Sequence, residues 1–207
     1  MSAIDLPTLR ARMHTLLNDP HIVWPEALLD EGLRQALEIY SRALPYARTA
    51  IITLTSSSRQ VDLSAWSDLC AVLRVERAHP PHPGWELHWA NGAAQLTLLL
   101  PPGADTPAAG QLLYLCYGSP HTLSGLDGAS STTLPAGQIG LLVQGAAGLC
   151  ALARSNDPAA AYSTPPVANT LRAWGREMIS QFRAALNQQT RVRQSGPAYA
   201  QWPDPLD

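Results

Sequence analysis

The spacing of apolar residues divides the chain into a helical start, a strand-rich middle and a helical end. In the first part, leucines recur at three- and four-residue intervals in two segments. This spacing predicts one helix that is capped by Asp5 and a second helix that begins at Pro25. Pro20 and Pro45 end these segments, because proline cannot continue a helix. Two short amphipathic helices cannot bury both apolar faces by themselves, so they need a third element.

The middle of the chain changes to the period of two that is typical of strands. TAIITLTS, LCAVLRVERA and QLLYLCYG are predicted strands. WELHWANGAAQLTLLL places Trp85, Leu87 and Trp89 on one face, and Asn91 with Gly92 is typical of the type I′ turn of a hairpin. Several short strands separated by proline and glycine predict a small antiparallel sheet, sandwich or partial barrel.

The segment GQIGLLVQGAAGLCALAR, residues 137–154, could be a membrane span, a phosphate-binding loop or a close-packed helix. Neither GxGxxG nor GxxxxGK[ST] is present, and Gln138 and Gln144 interrupt the apolar run. We therefore expect a buried helix whose small residues let neighbouring backbones approach, since tight packing must offset the poor helix propensity of glycine. These small residues are Gly140, Gly145, Ala146, Ala147 and Gly148.

A long amphipathic helix over residues 167–193 and a proline-rich, extended tail complete the predicted organisation. The apolar face of this helix is predicted to consist of Leu171, Trp174, Met178, Phe182 and Leu186. The predicted fold class is α+β, with a helical bundle formed by both chain ends and an inserted antiparallel β-sheet or sandwich. The predicted domains are a helical domain of residues 1–47 and 134–195, a β domain of residues 48–133, and a tail of residues 196–207.

Composition narrows the classes of function. The chain has 207 residues, which is enough for one medium domain or two small ones. Only 14% of them are charged, which suggests that partners cover part of the surface. All 14 basic residues are arginine, against 16 acidic residues, so the net charge of −2 does not indicate a nucleic-acid-binding protein.

The cysteines and the N-terminus indicate a soluble protein in a reducing compartment. Cys70, Cys116 and Cys150 lie far apart in apolar runs, so we expect reduced thiols in the core rather than disulfides or metal ligands. The first 17 residues lack the features of a secretory signal, and we expect no transmembrane helix.

The reactive side chains of the sequence favour no class of enzyme. His79 and His82 lie in HPPHP near His88, but proline prevents a helical pairing and no cysteine or carboxylate accompanies them. The segment YGSPHTLSG places Ser119 beside His121 without the GxSxG elbow of a nucleophile. The sequence therefore predicts no catalytic residue, no cofactor and no metal ion.

The last predicted helix carries an uneven distribution of charge. The last helix carries a lone Glu177 and five arginines, namely Arg172, Arg176, Arg183, Arg191 and Arg193. At 3.6 residues per turn, Arg172, Arg176 and Arg183 form one stripe, which we expect to lie opposite the apolar face. Two interpretations stay open: a solvated helix face, or a docking surface for an acidic protein or for DNA that passes nearby.

Several of these segments resemble the head–tail connector proteins, also called adaptor or neck proteins, of tailed bacteriophages and related phage-like particles. The segment LLNDPHIVWPEALLDEGLRQALEIYSRALP, Leu16 to Pro45, is similar to the family's LLND-like stop, its W-(P/S)-(D/E)-x-x-L motif and its LxxALxxYSRxLP helix. LRVERAHPP…WELHW and LLYLCYGSPHTL resemble the β unit that longer members insert. LLVQGAAGLCALA stands where the family has a helix rich in glycine and alanine.

The resemblance implies a structural protein of the virion neck, assembled in the host cytoplasm. It implies a homo-oligomeric ring of about twelve copies between portal and tail. The implied partners are other copies of the chain, the portal protein, and a tail or head-completion protein. DNA only passes through the channel, and no membrane is involved. By this analogy the arginine stripe, with Arg191, Arg193, Tyr199 and Trp202, docks on the portal.

Two alternatives stay open. The same α+β pattern would suit another head- or tail-completion protein of the virion. A sugar- or ligand-binding β module is the other possibility, with Trp66, Trp85 and Trp89 as a stacking platform.

Overall fold

A computed structural model describes residues 4–17, 24–77, 84–90, 93–156 and 165–195. The helices in these ranges are α1 (Leu6–Leu16), α2 (Glu26–Ala43), α3 (Ile139–Ser155) and α4 (Pro165–Ser195). The strands are β1 (Tyr46–Thr53), β2 (Gln60–Asp62), β3 (Ala71–Arg77), β4 (Gly84–Ala90), β5 (Ala93–Leu99) and β6 (Leu112–Ser119). The chain divides into a helical unit of residues 1–44 and 121–207, and a β unit of residues 45–120.

The predicted architecture is wrong in its detail, although the chain is α+β. The described residues form four α-helices and two small antiparallel sheets, not a bundle of the two chain ends around one inserted sheet. The helix against which α1, α2 and α4 all pack is α3, an internal segment. The physical reason is that α3 is apolar on several sides, whereas α1 and α2 each present one apolar face.

The first two helices begin and pack as their sequences predict. The Asp5 carboxylate accepts a hydrogen bond from the Thr8 backbone N–H at 3.0 Å, which confirms Asp5 as the cap of α1. Leu29, Leu33 and Leu37 of α2 are buried in the core of the helical unit. The Arg10 guanidinium links the two helices through hydrogen bonds of 2.6–2.8 Å to Glu26 and Asp30.

The prediction of a close-packed helix at residues 137–154 is confirmed. A Cβ atom at Gly145 would lie 2.7 Å from the Phe182 ring, and a Cβ atom at Gly32 of α2 would lie 2.9 Å from the Ala146 carbonyl oxygen. Both distances are far below van der Waals contact, so glycine is required at these two points. Gly140 was also predicted to pack closely against a neighbour. This prediction is wrong, because a Cβ atom at Gly140 would have no heavy atom of a neighbouring element within 4 Å.

The same segment meets a simple test for a membrane span. Among the described residues, Ala136–Ser155 is the one stretch that is long and apolar enough by length and composition, with a mean hydropathy of 1.5. Half of this stretch is buried inside the protein. A single helix of this kind is a weak indication, because a buried core helix passes the same test.

The β unit consists of two three-stranded antiparallel sheets, with the orders β1-β6-β3 and β2-β5-β4. β4 and β5 pair as the predicted hairpin, with Leu87 opposite Leu96, whereas residues 91–92 of the turn lie outside the described residues. The short strand β2 was not predicted. Both sheets contribute to one core: Leu54, Val61, Leu63, Leu69, Val75, Ala94, Leu96, Leu98, Leu113, Leu115 and Tyr117.

The boundaries between the units also differ from the predicted ones. Residues 45–47 belong to the β unit, because β1 begins at Tyr46. Residues 121–133, predicted as the end of the β domain, belong to the helical unit. Leu123 and Leu126 are buried in the helical core, and the Leu6 N–H donates to the Ser124 carbonyl at 3.0 Å. Contacts between residues far apart in sequence thus hold residues 121–133 in the helical unit. The local sequence pattern of this irregular segment resembles a loop between strands, so it did not indicate these contacts.

The cysteines correspond only in part to the prediction. None of the three forms a disulfide, and Cys150 is buried against α2, where its Sγ lies 3.2 Å from the Leu28 carbonyl oxygen. Cys116 is half-buried. Cys70 is exposed, so the prediction of a core position is wrong for this residue. It lies just before β3, outside the alternating pattern that buries the apolar residues of the strands.

Candidate docking surface on the C-terminal helix

The packing of α4 determines where its arginines lie. Among the side chains of α4 that the structure describes, residues 167–191, the buried ones are Gly175, Ile179, Phe182 and Leu186, and these positions define the packed face. Leu171, Trp174 and Met178 were predicted on this face but are only half-buried. The packed face is therefore rotated about the helix axis, toward Ile179 and the arginine stripe. Farther along, the Thr190 hydroxyl lies 3.2 Å from the Ala43 carbonyl oxygen of α2.

Arg172 has a structural role at the end of α3. Its Nη2 atom donates to the Ser155 carbonyl at 3.2 Å and to the Asn156 side-chain oxygen at 3.1 Å. A guanidinium at this place satisfies a terminal carbonyl and interacts favourably with the negative end of the helix dipole. The expectation that Arg172 lies opposite the packed face is therefore wrong, since it lies at the edge of the contact between α3 and α4.

Arg176, Arg183 and Arg191 are exposed, and none of the ion pairs among the described residues involves them. The nearby Glu177 carboxylate accepts a hydrogen bond from Gln181 at 2.7 Å instead. Five arginines outside α4 do pair with carboxylates: Arg10, Arg34, Arg42, Arg48 and Arg74. The exposed arginines of α4 thus carry positive charge that the described residues leave uncompensated.

The remaining predicted docking residues lie at the end of the chain. Arg193 is part of α4, but its side chain is outside the described structure. Tyr199 and Trp202 lie outside the described residues altogether. The structure thus brings Arg176 and Arg183 together on one side of α4 and assigns Arg172 to the end of α3.

The histidines do not form a metal site where the structure describes them. Within the described ranges there is no group of three or more histidine, cysteine or acidic side chains that could hold a metal ion. His79 and His82 lie outside those ranges. His88 lies on β4, with its Nε2 atom 3.3 Å from the exposed carboxylate of Glu86.

Ser119 and His121 each have structural partners. The Ser119 hydroxyl lies 3.4 Å from the Tyr46 carbonyl oxygen in the β unit. In the helical unit, the buried His121 ring has Nε2 3.0 Å from the Leu44 carbonyl oxygen and Nδ1 3.1 Å from the Thr133 hydroxyl. Both ring nitrogens of His121 are thus engaged in holding the segment after β6.

The three tryptophans do not form one exposed platform. The ring of Trp66 lies 4.8 Å from that of Tyr117, and both Trp66 and Trp85 pack partly buried against the β core. Trp89 is 55% exposed near the end of β4. This arrangement favours a core role for Trp66 and Trp85.

One exposed apolar surface was missed by the sequence reasoning. Ile51 of β1 is 61% exposed, and Leu112 and Tyr114 of β6 lie on the same outer face of the sheet. A signal for it exists in the sequence. Ile51 and Ile52 are consecutive, and successive residues of a strand point to opposite faces, so only one of them can face the core.

The chain matches no protein-family model, and no curated protein is similar to it in sequence at a significant level.

Proposed function

We propose that this protein is a structural head–tail connector of a tailed bacteriophage or phage-like particle, and that it is not an enzyme. The observation that carries the proposal is the side of α4 with exposed Arg176 and Arg183, which pair with no carboxylate among the described residues. Complementary charge on a partner favours association and its specificity. The resemblance of Leu16–Pro45 to connector proteins makes the portal protein the proposed partner.

A protein partner suits this surface better than DNA. The chain has a net charge of −2, and DNA binding is favoured by a basic patch in a predominantly basic domain. DNA therefore only passes through the ring. An acidic patch on the portal supplies carboxylates, with which the planar guanidinium makes paired hydrogen bonds.

The proposed assembly is a homo-oligomeric ring of about twelve copies in the virion neck, built in the host cytoplasm without a membrane. Each subunit in a ring has neighbours on two sides. The charged fraction of 14% agrees with a subunit that buries much of its surface in this way.

The test is a pull-down of tagged, full-length protein from a culture that is producing particles, followed by mass spectrometry and electron microscopy. The proposal expects portal and tail proteins in a particle that carries a ring of this chain at the neck. Recovery of the chain in another part of the virion would favour a different head- or tail-completion protein. Recovery of the chain without any large assembly would contradict both.

A further inference from the structure

The two sheets of the β unit have four edge strands, and three of them carry features that prevent pairing with another chain. β2 has only three residues. The register of β3 against β6 shifts between Val72 and Arg74, and Arg74 forms an ion pair with Glu76. β4 carries Glu86 and His88. Short length, bulges and charged side chains are the usual protections of a sheet edge.

β1 lacks these protections. It spans Tyr46–Thr53 and pairs with β6 along its whole length without a register shift. It contains no proline and a single charged residue, Arg48. Arg48 is already paired with Asp68 at 2.5 Å, and its guanidinium lies 5.8 Å from the centre of the Tyr117 ring. The edge is thus long, regular and nearly neutral.

The hydrogen bonds at the end of β1 show which backbone groups face the open edge. The Leu54 N–H donates to the Gln111 carbonyl at 2.9 Å, and the Leu54 carbonyl accepts from the Gly110 N–H at 2.8 Å. Backbone groups along an antiparallel strand alternate in direction. Leu54 is bonded toward β6, so the residues one, three, five and seven before it point their backbone groups toward the open edge: Thr53, Ile51, Thr49 and Ala47. All four are exposed.

We propose that β1 is a self-association surface, at which a second copy of this chain adds its own β1 in antiparallel orientation. The contact is isologous and joins the two sheets in the order β3-β6-β1-β1-β6-β3. When the pairing is centred on Ala50, all four edge-facing residues of each copy form hydrogen-bonded pairs. Thr49 then lies opposite Ile51, and Ala47 lies opposite Thr53.

The side chains favour a second copy of the chain in this register. Thr49 and Ile51 are β-branched, and residues of this kind are favoured in strands. Arg48 lies opposite Ile52 of the other copy, so no two like charges face each other. The contact lies in the β unit and is independent of the proposed docking through α4. A twofold contact joins only two copies of the chain, so it is a different contact from the one that links neighbouring subunits around the proposed ring.

The first experiment measures the mass of the full-length protein by light scattering and sedimentation over a range of concentrations. Thr49→Pro removes an N–H that faces the open edge and leaves the ladder to β6 complete. We expect a monomer–dimer equilibrium for the unmodified chain, and a dissociation constant raised at least about tenfold by Thr49→Pro. Thr49→Val keeps the N–H and is the matched control, with a dissociation constant within about threefold of the unmodified chain.

The second experiment uses disulfide cross-linking and does not depend on the fold of the proline variant. Thr49→Cys and Ile51→Cys chains are prepared separately in a Cys70→Ser/Cys116→Ser background, because Cys70 is exposed and Cys116 lies directly opposite Thr49 on β6 of the same chain. Residues in a hydrogen-bonded pair have Cα atoms about 5.5 Å apart, which suits a disulfide. The mixture of the two variants is expected to form covalent dimers, whereas each variant alone is not.

Three results would overturn the proposal. The unmodified chain could remain monomeric at all concentrations. Assemblies could form that Thr49→Pro, while folded, leaves unchanged, as a ring built through another surface would. Cross-linking could also be equal in the mixture and in the separate variants.

Discussion

Gly148 of α3 and Gly175 of α4 face each other where these two helices pack together. A Cβ atom at Gly175 would lie 2.9 Å from the Gly148 carbonyl oxygen, and a Cβ atom at Gly148 would lie 3.0 Å from the Gly175 carbonyl oxygen. The relationship is reciprocal, and in both directions the obstacle is backbone, which cannot rotate away as a side chain can. This close approach holds α4 against α3 and thereby positions the arginines of α4.

Because Gly148 and Gly175 are in close contact, we expect even the substitution of Gly148 by alanine to lower the stability of the protein. We expect Gly148→Ala to lower the free energy of unfolding by about 1–3 kcal/mol, because overpacking outweighs the gain in helix propensity. Gly140→Ala in the same helix is the control, since it meets open space and is expected not to destabilise. Urea unfolding of both variants measures the difference. Equal stability of the two would show that the helices separate at little cost.

Arg172 is expected to contribute to stability and not to docking. Arg172→Ala removes the hydrogen bonds to Ser155 and Asn156, so we expect the free energy of unfolding to fall by about 1 kcal/mol. Thermal unfolding and a portal-binding assay should be run on the same preparation. Unchanged stability combined with lost binding would return Arg172 to the docking surface.

Arg176 and Arg183 are expected to act through charge. The double variant Arg176→Glu/Arg183→Glu should weaken portal binding at least about tenfold at low salt, with a smaller effect at high salt because ions screen exposed charges. The double variant Arg12→Glu/Arg42→Glu makes the same change of net charge at exposed arginines of α1 and α2 and serves as the control. Titrations at several ionic strengths test this. Binding that is indifferent to the double variant would identify the stripe as a solvated helix face.

Deletion of residues 196–207 tests the tail, which includes Tyr199 and Trp202. We expect the melting temperature to stay nearly unchanged, because the described residues of α1, α2, α3 and α4 already form a buried core. Attachment to a portal ring is expected to be lost, since aromatic side chains often dominate the binding energy of an interface. Normal docking of the truncated chain would refute a role for the tail.

The buried thiol of Cys150 predicts that the free energy of unfolding depends on pH in the alkaline range. Burial raises the pKa of the Cys150 thiol to about 12, and it also raises the pKa of Cys116. As the pH rises, the unfolded chain loses the Cys150 proton first, near pH 8.5. The stabilising contribution is therefore complete below about pH 8.5 and is lost as the pH approaches about 12.

Unfolding measured between pH 8 and pH 11 tests this dependence. We expect Cys150→Ala to remove part of the alkaline loss of stability that the unmodified chain shows, and Cys70→Ala to leave it in place because Cys70 is exposed. Thiol labelling of the native protein should also reach Cys70 well before Cys150. An identical pH profile for the unmodified chain and Cys150→Ala would contradict the assignment.

Much of the local structure could be predicted from the sequence. The cap at Asp5, the apolar face of α2, the β4–β5 hairpin and the cluster of small residues in α3 all follow from residues that are neighbours along the chain. The arrangement of the proposed docking residues on α4 could be predicted only in part. The spacing of Arg176 and Arg183 placed them on one stripe, but the same spacing also included Arg172, whose partners lie at the end of another helix.

By itself, the sequence determined where the four α-helices and every described strand except β2 form, because hydrogen bonding within a helix and alternation along a strand depend on nearby residues. Only the tertiary structure decided what covers each face. It assigned residues 121–133 to the helical unit, left Gly140 in open space, and turned Ile51 and the open edge of β1 to the surface. These outcomes depend on contacts between residues far apart in the chain. A periodic pattern shows that one face of a helix or strand is apolar, but it does not show which element packs against that face.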